Sequence, residues 1–176
     1  MVTFSPAGAT APVVLPYLSR MNFTTTYPSL FDRADLDQLI ARIDRLDADT
    51  QPGWGKMNAA QMLAHNSVAF DISYGRRSGG GNFITRLMMK WFVRPTVIGD
   101  KPYQKNGPTG PAFVVRDDRD FGKEKAELIA NLEQVHADGA AYFEGREQEA
   151  FGVLTAREWN RMFVKHLDHH LRQFGV

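Results

Sequence analysis

Lys165-His166-Leu167-Asp168-His169-His170-Leu171-Arg172-Gln173 is the stretch on which the fold and chemistry of this 176-residue chain turn. It closes a helical pattern that opens at Thr155 and Glu158, spaced as a capping box, and stops at Gly175. With His166 at zero and about 100° per residue, Trp159, Met162, Phe163, His170 and Gln173 fall within about 60° of it. Arg157, Arg161, Lys165, Asp168 and Arg172 gather on the far side. The aromatic stripe marks the buried face. His166 and His170 are therefore expected to point inward, His169 to sit at the boundary, and the charged side to meet solvent.

Two inward histidines demand partners. A buried polar ring left unpaired costs about 1–3 kcal/mol. At i, i+4 the two Cβ atoms lie about 5–6 Å apart, so one metal ion satisfies both rings. His65 lies on the apolar stripe Met62, His65, Ala69 and Ile72 of an earlier helix and is the expected third ligand. Three neutral imidazoles leave a coordination position open, which is the catalytic pattern. The alternative is that these are hydrogen-bonded packing histidines, and spacing alone leaves both readings standing. His136, at the end of another helix, reads as a charge placed favourably on the helix dipole.

Working outward, three more helices are expected. Residues 33–46 carry Leu36, Leu39, Ile40, Ile43 and Leu46 on one stripe behind the cap Asp32. A second helix starts at the Asn58–Gln61 capping box and fades near Arg76. A third follows Asp120, with Leu128, Ile129, Leu132 and Val135 inward and Gly139 as its stop. Between the second and third lies a long connection, residues 78–119. It opens with Ser78-Gly79-Gly80-Gly81 and contains a short extra helix over residues 83–93. Residues 105–111 must be irregular, and Phe113-Val114-Val115 reads as a short extended piece. Residues 1–28 read as an N-terminal arm and residues 29–176 as one domain.

Composition narrows the chemistry. Hydrophobic residues make up 43% of the chain and the net charge is +1, from 21 basic and 20 acidic residues. No bulk charge argues for nucleic acid, and no apolar run approaches the ~20 residues of a membrane span. Cysteine is absent, so a metal must use nitrogen or oxygen ligands and no thiol nucleophile exists. A cytoplasmic location is expected.

The stretch from Trp54-Gly55-Lys56-Met57-Asn58 to Leu63-Ala64-His65 resembles the second-helix signature of the DinB-like (DinB/YfiT) superfamily. Glu158-Trp159 and the 165–175 run resemble its fourth-helix signature. The similarity covers residues 36–175 and is closest to an uncharacterised subgroup. It implies an all-α four-helix bundle with the long connection between helices two and three. It also implies a divalent metal, nickel or zinc, on His65, His166 and His170, with His169 able to replace a neighbour if the helix is rotated. Members of the superfamily act as metal-dependent transferases of low-molecular-weight thiols or as thiol-dependent isomerases. A small-molecule substrate and either thiol transfer or hydrolysis are thus expected here. The chain departs from the pattern at Gln148-Glu149-Ala150, where a His-Pro pair is expected.

Other residues are weighed against plainer roles. Gln61 and Gln173 stand one turn from His65 and His170 and are either orienting groups or ordinary helix residues. Lys101, Tyr103 and Lys105 line an entrance for an anion or form a solvated loop. Arg86, Lys90 and Arg94 beside Trp91 and Phe92 suggest a membrane-surface helix or, preferably, a packed lid with a solvated basic edge. Asp168 faces away from the histidines and is not assigned as a base. Two further readings remain: a non-catalytic metal-binding or structural bundle with a closed site, and a homodimer formed through an exposed helix face.

Overall fold

The computed structural model describes residues 27–176. The expected arm, residues 1–28, lies outside the described residues except for Tyr27 and Pro28. There Leu30 N–H and the Pro28 carbonyl both bond the side-chain amide of Asn160.

The chain is mainly helical. Helix α1 is Arg33–Asp44, α2 is Ala59–Ser73, α3 is Phe83–Met88, α4 is Arg94–Ile98, α5 is Phe121–Phe143 and α6 is Ala156–Gln173. The expected caps are in place. Asp32 accepts from Asp35 N–H, and both capping boxes, Asn58/Gln61 and Thr155/Glu158, are complete. Gly139 takes φ 72° and breaks the helical run, but a further turn follows it to Phe143 instead of the expected stop.

Helix α2 packs on α5 and α6, α1 packs on α5, and α4 lies along α6. The core joins Leu36, Leu39 and Ile43 to Met62, Leu63 and Phe70, then to Leu128, Leu132 and Val135, and to Trp159, Phe163 and Leu167. Phe70 and Phe163 stack at 4.6 Å between centroids, and Phe143 closes edge-on against Phe163.

Three expectations fail for physical reasons. The charged side of α6 is only partly solvent-facing: Arg157 and Arg172 are exposed as expected, but Lys165 is 1%, Arg161 7% and Asp168 8% exposed. The long connection covers that side. Lys165 Nζ donates to the carbonyls of Thr96 and Gly99, and Arg161 pairs with Asp100. Asp168 takes Arg42 at 2.8 Å and Arg172 at 2.9 Å. Helical periodicity reports which face is apolar, and it cannot foresee a covering segment that supplies polar partners.

The extra helix is longer than expected and its apolar residues face outward. A π-turn, Met89–Val93, links α3 to α4, with Arg94 N–H bonding Met89 O five residues back. Met89, Val93, Val97 and Ile98 pack on the core, yet Trp91 and Phe92 are 70% and 74% exposed. Arg86 and Arg94, the expected solvated edge, are instead ion-paired with Glu149 and Glu158.

Finally, the expected extended piece at residues 113–115 loses Phe113 to a 3₁₀ turn over Pro111–Phe113, while Val114 is extended, and a two-stranded hairpin not foreseen from the sequence appears in the α5–α6 link. Its strands β1, Arg146–Gln148, and β2, Gly152–Leu154, pair antiparallel with Glu147 opposite Val153. Three-residue strands are too short for alternation to register. Gln148 Oε1 accepts from the N–H groups of Ala150 and Phe151, closing the turn.

Phe163 is 1% exposed and sits between α2, α5 and its own helix. Phe163→Ala is expected to cost about 3–5 kcal/mol, read from the urea unfolding midpoint.

Candidate metal centre

Helix α2 brings His65 and helix α6 brings His166 and His170 to one point. One nitrogen from each ring lies within 4.8 Å of the others. The ring centroids are 4.8 Å apart for His65–His166, 4.6 Å for His65–His170 and 5.0 Å for His166–His170. His65 and His170 are buried and His166 is half-buried.

The hydrogen bonds fix the tautomers. His65 Nδ1 lies 2.8 Å from the carbonyl oxygen of Phe113. A carbonyl only accepts, so Nδ1 carries the proton and Nε2 of the neutral ring presents its lone pair. His170 Nδ1 lies 2.7 Å from Gln173 Oε1. The Gln173 amide cannot flip, because its nitrogen donates to the carbonyl of Trp54. His170 is therefore also protonated on Nδ1 with Nε2 free. The His65 and His166 Nε2 atoms are 2.9 Å apart. With His65 Nε2 bare, His166 holds the proton between them when no ion is bound.

Such outer partners are what orient ligating imidazoles and keep their inner nitrogens available. The donor set of three neutral nitrogens, with sulfur excluded by composition, fits a borderline divalent ion such as zinc or nickel. Among the described residues no other histidine or carboxylate joins the group.

The Gln173 lock is built by a loop that ends at α2. Gly53 N–H donates to the backbone carbonyl of Gln173 at 2.7 Å. Gly55 takes φ +83°, and a Cβ there would stand 2.5 Å from Gln173 Nε2. Only glycine allows this approach without pushing the amide off Trp54 and His170.

Burial controls the electrostatics. It lowers the pKa of His65, lowers that of His166 well below the ordinary value, and takes His170 down to about 3. The neighbouring imidazoles add to the effect on His166 and His170. All three rings are thus held neutral, the form that binds metal.

His169 lies outside this group. Its ring meets Trp54 at 5.8 Å and Tyr103 at 5.6 Å. Tyr103 also reaches His166, edge-on at 6.5 Å. Gln61 serves the cap of α2 and donates to Asp117 O, away from the histidines. His136 bonds the carbonyl of Leu30 at 2.9 Å. Residues 148–150 occupy the hairpin, where Glu149 holds Ser78, Gly79 and Arg86. Sequence reasoning missed Phe113, whose carbonyl anchors His65 and whose ring stands edge-on to His65 and His166. Its neighbours Pro111 and Ala112 gave no sign of that role.

Residues 28–175 match the family described as Protein of unknown function (DUF1569). The chain belongs to the DUF1569 family. Neither the curated proteins nor the solved structures contain a match to it. Both histidine-bearing helices of this DUF1569 chain lie inside the matched span.

Because these histidines are neutral in the folded protein and ordinary when unfolded, the unfolded state binds more protons below about 6.5. Stability of the metal-free protein is expected to fall as pH drops from about 6.5 to about 5. The slope approaches about 1.4 kcal/mol per pH unit for each histidine. Urea titrations across that range read it, and His170→Leu flattens the curve. A wild-type curve that is flat there would show that the three rings do not titrate as a buried cluster.

Proposed function

We propose that this chain is a DinB-like protein whose α1, α2, α5 and α6 form a four-helix bundle over residues 29–176, preceded by an arm at residues 1–28. Its centre holds one divalent ion, nickel or zinc, on His65, His166 and His170. The observation that carries this reading is the paired lock on the outer nitrogens. Phe113 O and Gln173 Oε1 hold Nδ1 of His65 and His170, which leaves both Nε2 lone pairs free, that of His65 against His166. Plain packing histidines need one partner each, and these have an outer partner and still converge.

When bound, the ion would supply positive charge that makes a water or a thiol more acidic. The chain's own residues do the rest. The Phe113 ring borders His65 and His166 and limits water on that side. Tyr103, also against His166, has its hydroxyl pKa raised by burial and stays protonated as a donor. A half-buried His166 and the absence of a fourth histidine or carboxylate among the described residues favour an open centre over the closed site of a structural module. We assign a metal-dependent transferase or hydrolase of a small molecule, with a low-molecular-weight thiol as a candidate co-substrate and the cytoplasm as its place.

The exposed run Phe83, Ile84, Leu87, Met88, Trp91 and Phe92 supports a homodimer as well. Light scattering at twice the chain mass, returning to one on Trp91→Lys, is the expected result. A monomeric wild type removes the dimer and leaves the metal reading intact.

Protein purified without a histidine tag is expected to carry about one equivalent of nickel or zinc by elemental analysis, and His65→Ala to lose it. Gln173→Leu is expected to weaken affinity about 10–100-fold while keeping the fold, because it frees His170 to turn. Gly55→Ala acts in the same direction by displacing that amide. A wild type without metal, or full affinity in Gln173→Leu, would remove this reading.

A further inference from the structure

Beside the histidine cluster lies a cavity of about 190 Å³, walled by Trp54, Tyr103 and His169 and carrying Lys105, Lys165 and Arg172. Its volume is that of roughly six waters, which suits a small molecule. Tyr103 is the wall it shares with the metal centre, since the ring also meets His166.

Among the described lining residues positive charge exceeds negative, with Lys105, Lys165 and Arg172 against Asp168. Asp168 is its one carboxylate, and that group is taken by Arg172 and by Arg42. Asp100, whose carboxylate also acts on Lys165, is ion-paired with Arg161. Two ammonium groups remain. Lys105 Nζ stands 4.4 Å from the centroid of Trp54, and Lys165 Nζ stands 4.6 Å from that of Tyr103. Each is held over a π face, which fixes a position without neutralising the charge. Lys165 gives two of its three protons to Thr96 O and Gly99 O and keeps one. Among the described residues no carboxylate pairs with Lys105.

We propose that this cavity binds the carboxylate of a small organic acid. Lys105 and Lys165 are its charge partners, and Trp54 and Tyr103 flank its apolar body. A monoanionic carboxylate fits better than a phosphate because Arg172, the guanidinium among the described lining residues, turns its Nε to Asp168, whose own negative charge stands against a dianion. Two lysine point charges beside aromatic rings match a monoanion with an apolar remainder. Taking this acid to be the substrate rests on the metal-centre reading, whereas the binding itself needs only the cavity.

Benzoate is the probe, titrated by calorimetry into the full metal-free chain so that the acid cannot ligate an ion. Saturable one-to-one binding is expected. Benzamide, of the same shape and no charge, should bind at least tenfold more weakly. Lys105→Met should weaken benzoate at least fivefold with unchanged thermal unfolding, because Lys105 is exposed. Inorganic phosphate at equal concentration should not displace benzoate. His65→Ala, which loses metal under the proposed function, should keep its benzoate affinity, so the two readings fail separately. The proposal is overturned by absent or non-saturable benzoate binding, by benzamide of equal affinity, by displacement with phosphate, or by full affinity in Lys105→Met.

Discussion

Helix α6 has almost no side left to water, and that burial is the constraint the rest of the molecule answers. A helix carrying Arg161, Lys165, His166, Asp168, His170 and Gln173 is costly to enclose unless most of its polar groups find partners. Leaving one buried charge unpaired costs several kcal/mol. The segment at residues 94–100 runs along α6 and lends two carbonyls to Lys165 and a carboxylate to Arg161. Helix α1 lends Arg42 to Asp168, and the same guanidinium reaches the carbonyl of Val176. The long connection between α2 and α5 is therefore a second layer over α6.

The same requirement shapes the opposite face. His166 and His170 have to be satisfied among apolar neighbours, and the fold recruits backbone for the purpose. Phe113 O serves His65 across from α6, while Trp54 O serves the amide that serves His170. Backbone carbonyls move little, so the rings inherit the rigidity of two loops whose positions are set by a 3₁₀ turn and by Gly55. Precision at the cluster thus comes from irregular segments docked on regular helices.

Much of this was legible in the sequence. The caps at Asp32, Asn58, Asp120 and Thr155 are local signals, and the structure keeps them. The inward pair His166 and His170 followed from the stripe of Trp159, Met162 and Phe163, because apolar periodicity reads facing directly. Facing also predicted that Asp168 turns from the histidines. What stayed hidden depends on contacts distant in sequence. Lys165 looks like a surface lysine because nothing local marks the carbonyls of Thr96 and Gly99. Gln173 has the composition of any helix end until the Trp54 loop is placed against it. Phe113 acts through its carbonyl, a group every residue has. The apolar run from Phe83 to Phe92 suggested a buried lid, yet the π-turn and Pro95 rotate a different set, Met89, Val93 and Val97, toward the core.

The proton shared between His65 and His166 has a consequence for ion entry. Two of the three rings are already in the tautomer that an ion requires, but His166 is not. His166 must move its proton from Nε2 to Nδ1, or release it, before three lone pairs can face one centre. Were an ion to enter, the tautomer that has to change would be that of His166 alone, while His65 and His170 would keep the protons their outer partners already hold.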